Sequence, residues 1–108
     1  MKIIEQHKES IFELCQKHKV TKLYVFGSIL TNRFGTKSDI DFLVYFSNKI
    51  DLLDYADNYF DLKFELEDLL GRKIDLVEGK SLKNKYFINE VETTKLKIYE
   101  QQNIEVFA

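Results

Sequence analysis

The chain has no proline, four glycines and one cysteine in 108 residues. So little proline and glycine excludes a low-complexity or linker-like segment. With Cys15 alone, neither an intrachain disulfide nor a cysteine-rich zinc site can form. No apolar run approaches the roughly 20 residues needed to span a bilayer. The start, Met1-Lys2-Ile3-Ile4-Glu5, carries charges every few residues and lacks the apolar h-region of a signal peptide. A cytoplasmic location is expected. Excess positive charge is missing too, with 16 basic against 18 acidic residues and a net charge of −2. A protein that grips many phosphates is usually basic. No stable nucleic-acid binding is expected, although a local basic patch remains compatible with these totals.

What is present suits a small folded enzyme. Apolar residues make up 44% of the chain and aromatics 14%, enough for a core without staples. The length fits one domain over residues 1–108. Residues 2–18 read as one helix, with Ile4, Ile11, Leu14, Cys15 and His18 on a single stripe. Residues 22–26 read as a strand ended by Gly27-Ser28, and a short helix or turn follows over about 28–33. Residues 39–46 are the strongest strand signal; apart from two aspartates they are apolar on both faces, as in a central strand. Residues 52–70 are an amphipathic helix with Leu52, Tyr55, Ala56, Tyr59, Leu62, Leu66, Leu69 and Leu70 as its buried stripe and Gly71 as its stop. A strand over 73–78, a helix over 84–92 and an edge-like strand over 95–100 complete the chain. The link between the first two strands leaves little room for a crossover helix. The expected fold is therefore α/β (α+β), a small mixed sheet flanked by helices.

Three acids stand out. Asp39 and Asp41 alternate along one strand, so both carboxylates face the same way, about 7 Å apart by strand rise. Paired carboxylates entering an apolar strand are costly unless something positive lies between them. Magnesium takes one or two carboxylates plus phosphate oxygens and water, and two such ions clamp the attacking and leaving oxygens of a phosphoryl displacement. Asp75, in Ile74-Asp75-Leu76-Val77, is an acid inside an apolar strand; a buried, unpaired carboxylate is costly, so a partner is implied. Gly27-Ser28 adds a phosphate-friendly turn, because glycine admits close backbone approach and a helix N-terminus with a hydroxyl binds anions.

Phe26-Gly27-Ser28, then Ser38-Asp39-Ile40-Asp41, then Ile74-Asp75-Leu76-Val77 resemble the signature of the DNA polymerase β-type nucleotidyltransferase superfamily, and in particular its minimal members. The resemblance covers roughly residues 3–100. It implies that Gly27 and Ser28 contact the triphosphate, that Asp39 and Asp41 bind two Mg²⁺ ions, and that Asp75 completes the acceptor-side metal. Many minimal members carry arginines two and four residues after the motif glycine and a glycine at the fifth position. Here Ile29, Thr31 and Asn32 stand there. Asn32 tolerates a left-handed conformation and is expected to make the same turn. Arg33 and Lys37, with Ser38, are the expected substitutes on the nucleotide side.

The remaining residues have plainer readings. Cys15 reads as a buried thiol, and His7 and His18 as packing or surface histidines rather than metal ligands. Tyr55, Tyr59, Phe60 and Phe64 read mainly as core, but Phe60 and Phe64 flank the stripe rather than fill it, which suits a partner surface. Lys80, Lys83 and Lys85 read as a solvated run with a possible electrostatic role. By resemblance, minimal nucleotidyltransferases pair with a HEPN-domain ribonuclease toxin and AMPylate it on a tyrosine from ATP, as antitoxins. That is the leading expectation here, with homo- or hetero-oligomers compatible with it. A nucleotidyltransferase for small molecules and an antitoxin acting by contact alone are the alternatives.

Overall fold

The structure is a computed structural model and describes residues 2–102; Met1 and residues 103–108, included in the expected 1–108 domain, lie outside the described residues. Four strands form one mixed sheet in the order β3-β2-β1-β4. β1 (Val20–Phe26) pairs antiparallel with β2 (Ile40–Phe46) on one side and with β4 (Leu96–Glu100) on the other. β2 pairs parallel with β3 (Ile74–Glu78). The long helix α3 (Leu52–Leu70) supplies the crossover that a parallel pair requires. The mixed sheet matches expectation, and β2 is central with both faces covered.

The principal core lies between the sheet and the N-terminal helices with α3. It joins Ile11, Val25, Phe42, Val44, Leu62 and Leu66, all fully buried. The opposite face is covered more thinly by α4 (Lys85–Thr94), whose Val91 packs over Phe26 and Leu43. Asn84 caps α4 by accepting the Phe87 N–H at 3.0 Å.

α3 has the expected bounds, and Gly71 closes it at φ +62°, its N–H bonding the Glu67 carbonyl. Two members of the expected buried stripe are exposed, Leu52 at 89% and Ala56 with it, while Tyr55, Tyr59 and Leu69 are half-buried. Leu53 on the other side of the first turn is equally bare. This turn stands clear of the core, and burial begins at Tyr55, which packs edge-on against Phe46.

The expected single N-terminal helix is two, α1 (Lys2–Gln6) and α2 (Lys8–Lys17). His7 departs from helical angles while its Nδ1 lies 2.9 Å from the Ile3 carbonyl. The stripe survives the break, since Ile4, Ile11, Cys15 and His18 are all buried. Burial pushes the Cys15 thiol up to about 12, as suits an inert core residue. His18 is held between Asn58 and Glu65 of α3, and Lys17 reaches the same Glu65 at 2.6 Å. Lys17 first and His18 next hold the Glu65 carboxyl below its usual range.

α3 also protects an edge of the sheet. Glu67 accepts the Ile74 N–H at 3.1 Å, and the Tyr59 hydroxyl donates to the Leu76 carbonyl. Both groups belong to edge strand β3, which would otherwise present unpaired backbone.

Candidate active site

The end of β1 and the starts of β2 and β3 meet at one end of the sheet. In register, Phe26 stands opposite Asp41, and Asp41 opposite Asp75. Strand alternation turns Asp41, Leu43 and Tyr45 to the α4 side, and Asp75 and Val77 with them. Asp41 is half-buried, flanked by Asp75 on one side and Gly27 on the other. Gly27 has φ +77°, and a Cβ added there would lie 2.3 Å from Asp41 Oδ2. The backbone conformation therefore favours glycine at this position, and any side chain there would also displace the Asp41 carboxylate.

Burial raises the Asp41 carboxyl above its ordinary value, and Asp75 and then Asp39 push it further. Asp41 thus feels both of the other acids. Asp39 sits one residue before β2 and is exposed. Asp75 is exposed too, which corrects the buried environment considered for it: the α4 face is open at this end, so water solvates the carboxylate. None of the three forms an ion pair among the described residues. Tyr59, behind β3, has its phenol raised first by burial and then by Asp75 and Glu78.

Gly27–Leu30 is a single 3-10 turn. The Ser28 carbonyl closes it by accepting the Thr31 N–H at 2.9 Å and the Thr31 hydroxyl at 2.8 Å. Ile29, where many minimal members carry arginine, is buried in the principal core. Asn32 does not take the expected left-handed turn; among the described residues only Lys19 does so without being glycine. The Thr31 hydroxyl explains this, since it also accepts the Arg33 N–H and holds the chain without positive φ.

Arg33 and Lys37 are exposed, and their side chains make no polar contact among the described residues. The Ser38 hydroxyl is turned inward, accepting the Gly35 N–H at 3.0 Å. A residue that sequence reasoning missed holds this loop. One guanidinium nitrogen of Arg72 donates to the carbonyls of Gly35 at 2.8 Å and Ser38 at 2.9 Å, and the group lies 4.5 Å over the Phe34 ring. The available signal was an arginine wedged between a helix stop and a site strand.

Beside Asp41 a cleft of about 620 Å³ opens between the 27–30 turn and α4, walled by Phe26, Leu30, Phe87 and Val91. A second hollow of about 840 Å³ lies at the far end of the same face, with Lys22, Lys49, Lys80 and Lys95 in its lining. Lys83 and Lys85 remain on the surface.

The donor set suits a hard cation. Three carboxylates without a basic partner leave negative charge uncompensated, and oxygen is what such ions take. Among the described residues no three His, Cys, Asp or Glu stand close enough to form a ready-made cage. Magnesium seldom uses one, binding instead through one or two carboxylates with substrate phosphates and water.

A glycine-serine turn against paired aspartates, with a third aspartate on the neighbouring parallel strand, defines a class. The family model described as Polymerase beta, Nucleotidyltransferase matches residues 9–104, and the chain belongs to this family of nucleotidyltransferases. It is 40% identical over 90 residues to a Methanocaldococcus jannaschii protein named "putative protein adenylyltransferase", covering 83% of this chain and 85% of that one. A solved structure described as a "putative minimal nucleotidyltransferase" superposes with a TM-score of 0.69 at 30% identity, over 88% of this chain and 92% of the other. A chain of a solved structure described as a tri-AMPylated Shewanella oneidensis HEPN toxin in complex with MNT antitoxin has a similar fold. It has a TM-score of 0.62 at 21% identity, over 90% of this chain and 72% of that one. Among the described residues no helix is long and apolar enough to cross a membrane.

Proposed function

We propose that this chain is a single-domain, metal-dependent adenylyltransferase of the cytosol, which moves AMP from ATP to a tyrosine of a HEPN-domain toxin and so acts as its antitoxin. The observation that carries the reading is Asp41, wedged between Gly27 and Asp75 at the end of the sheet, with Asp39 two residues before it. Such a site is short of positive charge and open to a phosphate. The name of the Methanocaldococcus relative and the composition of the Shewanella complex support the protein acceptor and the HEPN partner.

Each residue then has a task. Asp39 and Asp41 hold the divalent ions, two Mg²⁺ in the full reading, and Asp75 completes the acceptor-side position. When bound, the metal supplies Lewis-acid stabilisation of the phosphate oxygens. The bare α-carbon of Gly27 lets the triphosphate approach the backbone, and the Ser28 hydroxyl donates to it. Arg33 and Lys37 lend charge from the loop that Arg72 fixes, with Ser38 at its base. The phenol oxygen bonds to the α-phosphorus as the bond to the pyrophosphate oxygen breaks. Pyrophosphate leaves, and the phenolic proton is lost near Asp75.

Ile29 favours a second reading. It fills the core where many minimal members place an arginine, so the triphosphate loses a bidentate partner, and neutralisation by contact alone becomes the alternative. One experiment separates the two. The chain is incubated with the product of its neighbouring gene and with α- or γ-labelled ATP, and the product is mapped by mass spectrometry. Label from the α position only, as AMP on tyrosine, is expected. Neutralisation by an Asp39→Asn, Asp41→Asn variant, with no modification by the unaltered chain, would replace this reading with contact alone.

A further inference from the structure

The outer side of α3 carries an aromatic patch that the catalytic reading leaves unused. Phe60 is 49% exposed and Phe64 53% exposed. Their rings stack at 6.1 Å between centroids with 28° between planes, and Phe60 meets Tyr59 edge-on at 5.0 Å. Two half-bare phenylalanines held against each other keep apolar surface in water, a state that a docking partner relieves. The patch also has a definite place. Tyr59 donates to the carbonyl of Leu76, the residue after Asp75, and Glu67, one turn beyond Phe64, accepts the N–H of Ile74, the residue before it. The aromatic row therefore runs along the protected edge of β3, beside the aspartate assigned to the acceptor.

Its rim is acidic. Asp57, Asp61 and Asp68 are exposed around the two rings and none of them is ion-paired among the described residues; Lys63, between the rings in sequence, is the single basic residue there, so the balance stays acidic. A second copy of this chain would bring like charges together across a two-fold contact, which counts against self-association. A polyanion is disfavoured for the same reason. What fits is a protein with apolar anchors and a basic rim.

We propose that Phe60 and Phe64, ringed by Asp57, Asp61 and Asp68, form the docking surface for the acceptor protein and hold it by a basic, apolar face along the β3 edge. The proposal rests on the adenylyltransferase reading for the identity of the partner, and it separates holding the acceptor from the chemistry. The partner reaches around the edge strand from α3 to Asp75, so affinity is set on one side of β3 and transfer on the other.

The test uses the full chain and the product of its neighbouring gene as the candidate acceptor protein. Affinity is read by titration calorimetry, AMP transfer by steady-state kinetics with that protein varied, and self-association by sedimentation. In a Phe60→Ser, Phe64→Ser variant, affinity for the partner should fall about tenfold or more and KM for it should rise in step. kcat and Mg-ATP affinity should stay within about twofold, because neither ring touches the nucleotide site. A Phe60→Leu, Phe64→Leu variant should retain most of the affinity. Asp57→Lys with Asp61→Lys should weaken the complex and flatten its salt dependence. Unchanged affinity in the serine variant overturns the proposal, as does charge reversal that tightens binding. So does a wild-type chain that self-associates and becomes monomeric in the serine variant, since the occupant would then be a second copy. If the unaltered chain binds the partner but transfers no AMP, the adenylyltransferase reading fails while docking is still decided by the affinities.

Discussion

Replacing Asp41 by asparagine should stabilise the protein while removing its capacity to bind Mg-ATP. Asp41 and Asp75 stand abreast on neighbouring strands, which places their carboxylates about 5 Å apart by strand spacing. Two like charges at that distance repel by roughly 0.8 kcal/mol in water and 3.3 kcal/mol at an effective dielectric of 20. Asp75 is exposed, so the lower limit governs, and a gain of about 1 kcal/mol at pH 7 is expected. For a chain of this size that is a rise in Tm of about 4–8 °C. Asparagine keeps the shape against Gly27, so no cavity or clash offsets the gain. The pH dependence provides an internal control. Burial, then Asp75 and Asp39, raise Asp41 in the folded state, so the folded form binds a proton more tightly than the unfolded chain. Stability from this group therefore falls as pH rises from the ordinary aspartate value through the raised one. The difference between variant and wild type should be small near pH 4 and full at pH 7. Melting followed by circular dichroism, beside calorimetry with ATP and Mg²⁺, reads both effects. A variant that melts lower than wild type at pH 7, or binds Mg-ATP with unchanged affinity, would refute the assignment.

Asp75→Ala should lower kcat by about two orders of magnitude with ATP affinity within about twofold, as expected of a group used mainly in the transition state; transfer at the wild-type rate would remove Asp75 from the site. Arg72→Ala should free the carbonyls of Gly35 and Ser38, cost about 1–2 kcal/mol, and accelerate amide exchange across residues 31–39 while leaving α3 protected. Glu65→Ala should cost about 1–3 kcal/mol at pH 7 by leaving the buried His18 short of a partner. Because the folded state holds Glu65 below its usual value, that contribution exists above the ordinary glutamate range and disappears as pH falls through the depressed one. The cost should therefore shrink on acidification, as thermal melts at two pH values would show.

Much of this molecule is legible in its sequence because the strongest local signals agree with the global fold. Leucines at helical spacing with Gly71 behind them mark α3, and the doubly apolar run after Asp39 marks a central strand with both faces covered. The motif residues Gly27, Asp39, Asp41 and Asp75 are brought to one end of the sheet. The features missed depend on tertiary context. A histidine bonding back to Ile3 breaks the first helix without glycine or proline. Leu52 is apolar at the right spacing but has nothing above it. Asp75 lies in an apolar strand whose second face happens to be open, and Thr31 does with a hydroxyl what Asn32 was expected to do with positive φ. Arg72 acts through the loop carbonyls and the Phe34 ring, more than thirty positions earlier.

The pairing of Asp41 with Asp75 ties the chemistry to residues that never meet a nucleotide. In a strand, a slip of one residue turns every side chain to the opposite face. If β3 slid by one position along β2, Asp75 would enter the main core while Ile74 and Leu76, now buried, would face water. Both changes are heavily unfavourable. The alternation Ile74-Asp75-Leu76 thus acts as a proofreading device, with two greasy neighbours rejecting any alignment in which the acid is out of place. The parallel pair is also closed only after the chain has travelled the length of α3, which makes it a late contact in folding. Catalytic competence would then wait on the β2–β3 pair, and a chain folded short of it would hold two acids but not the third.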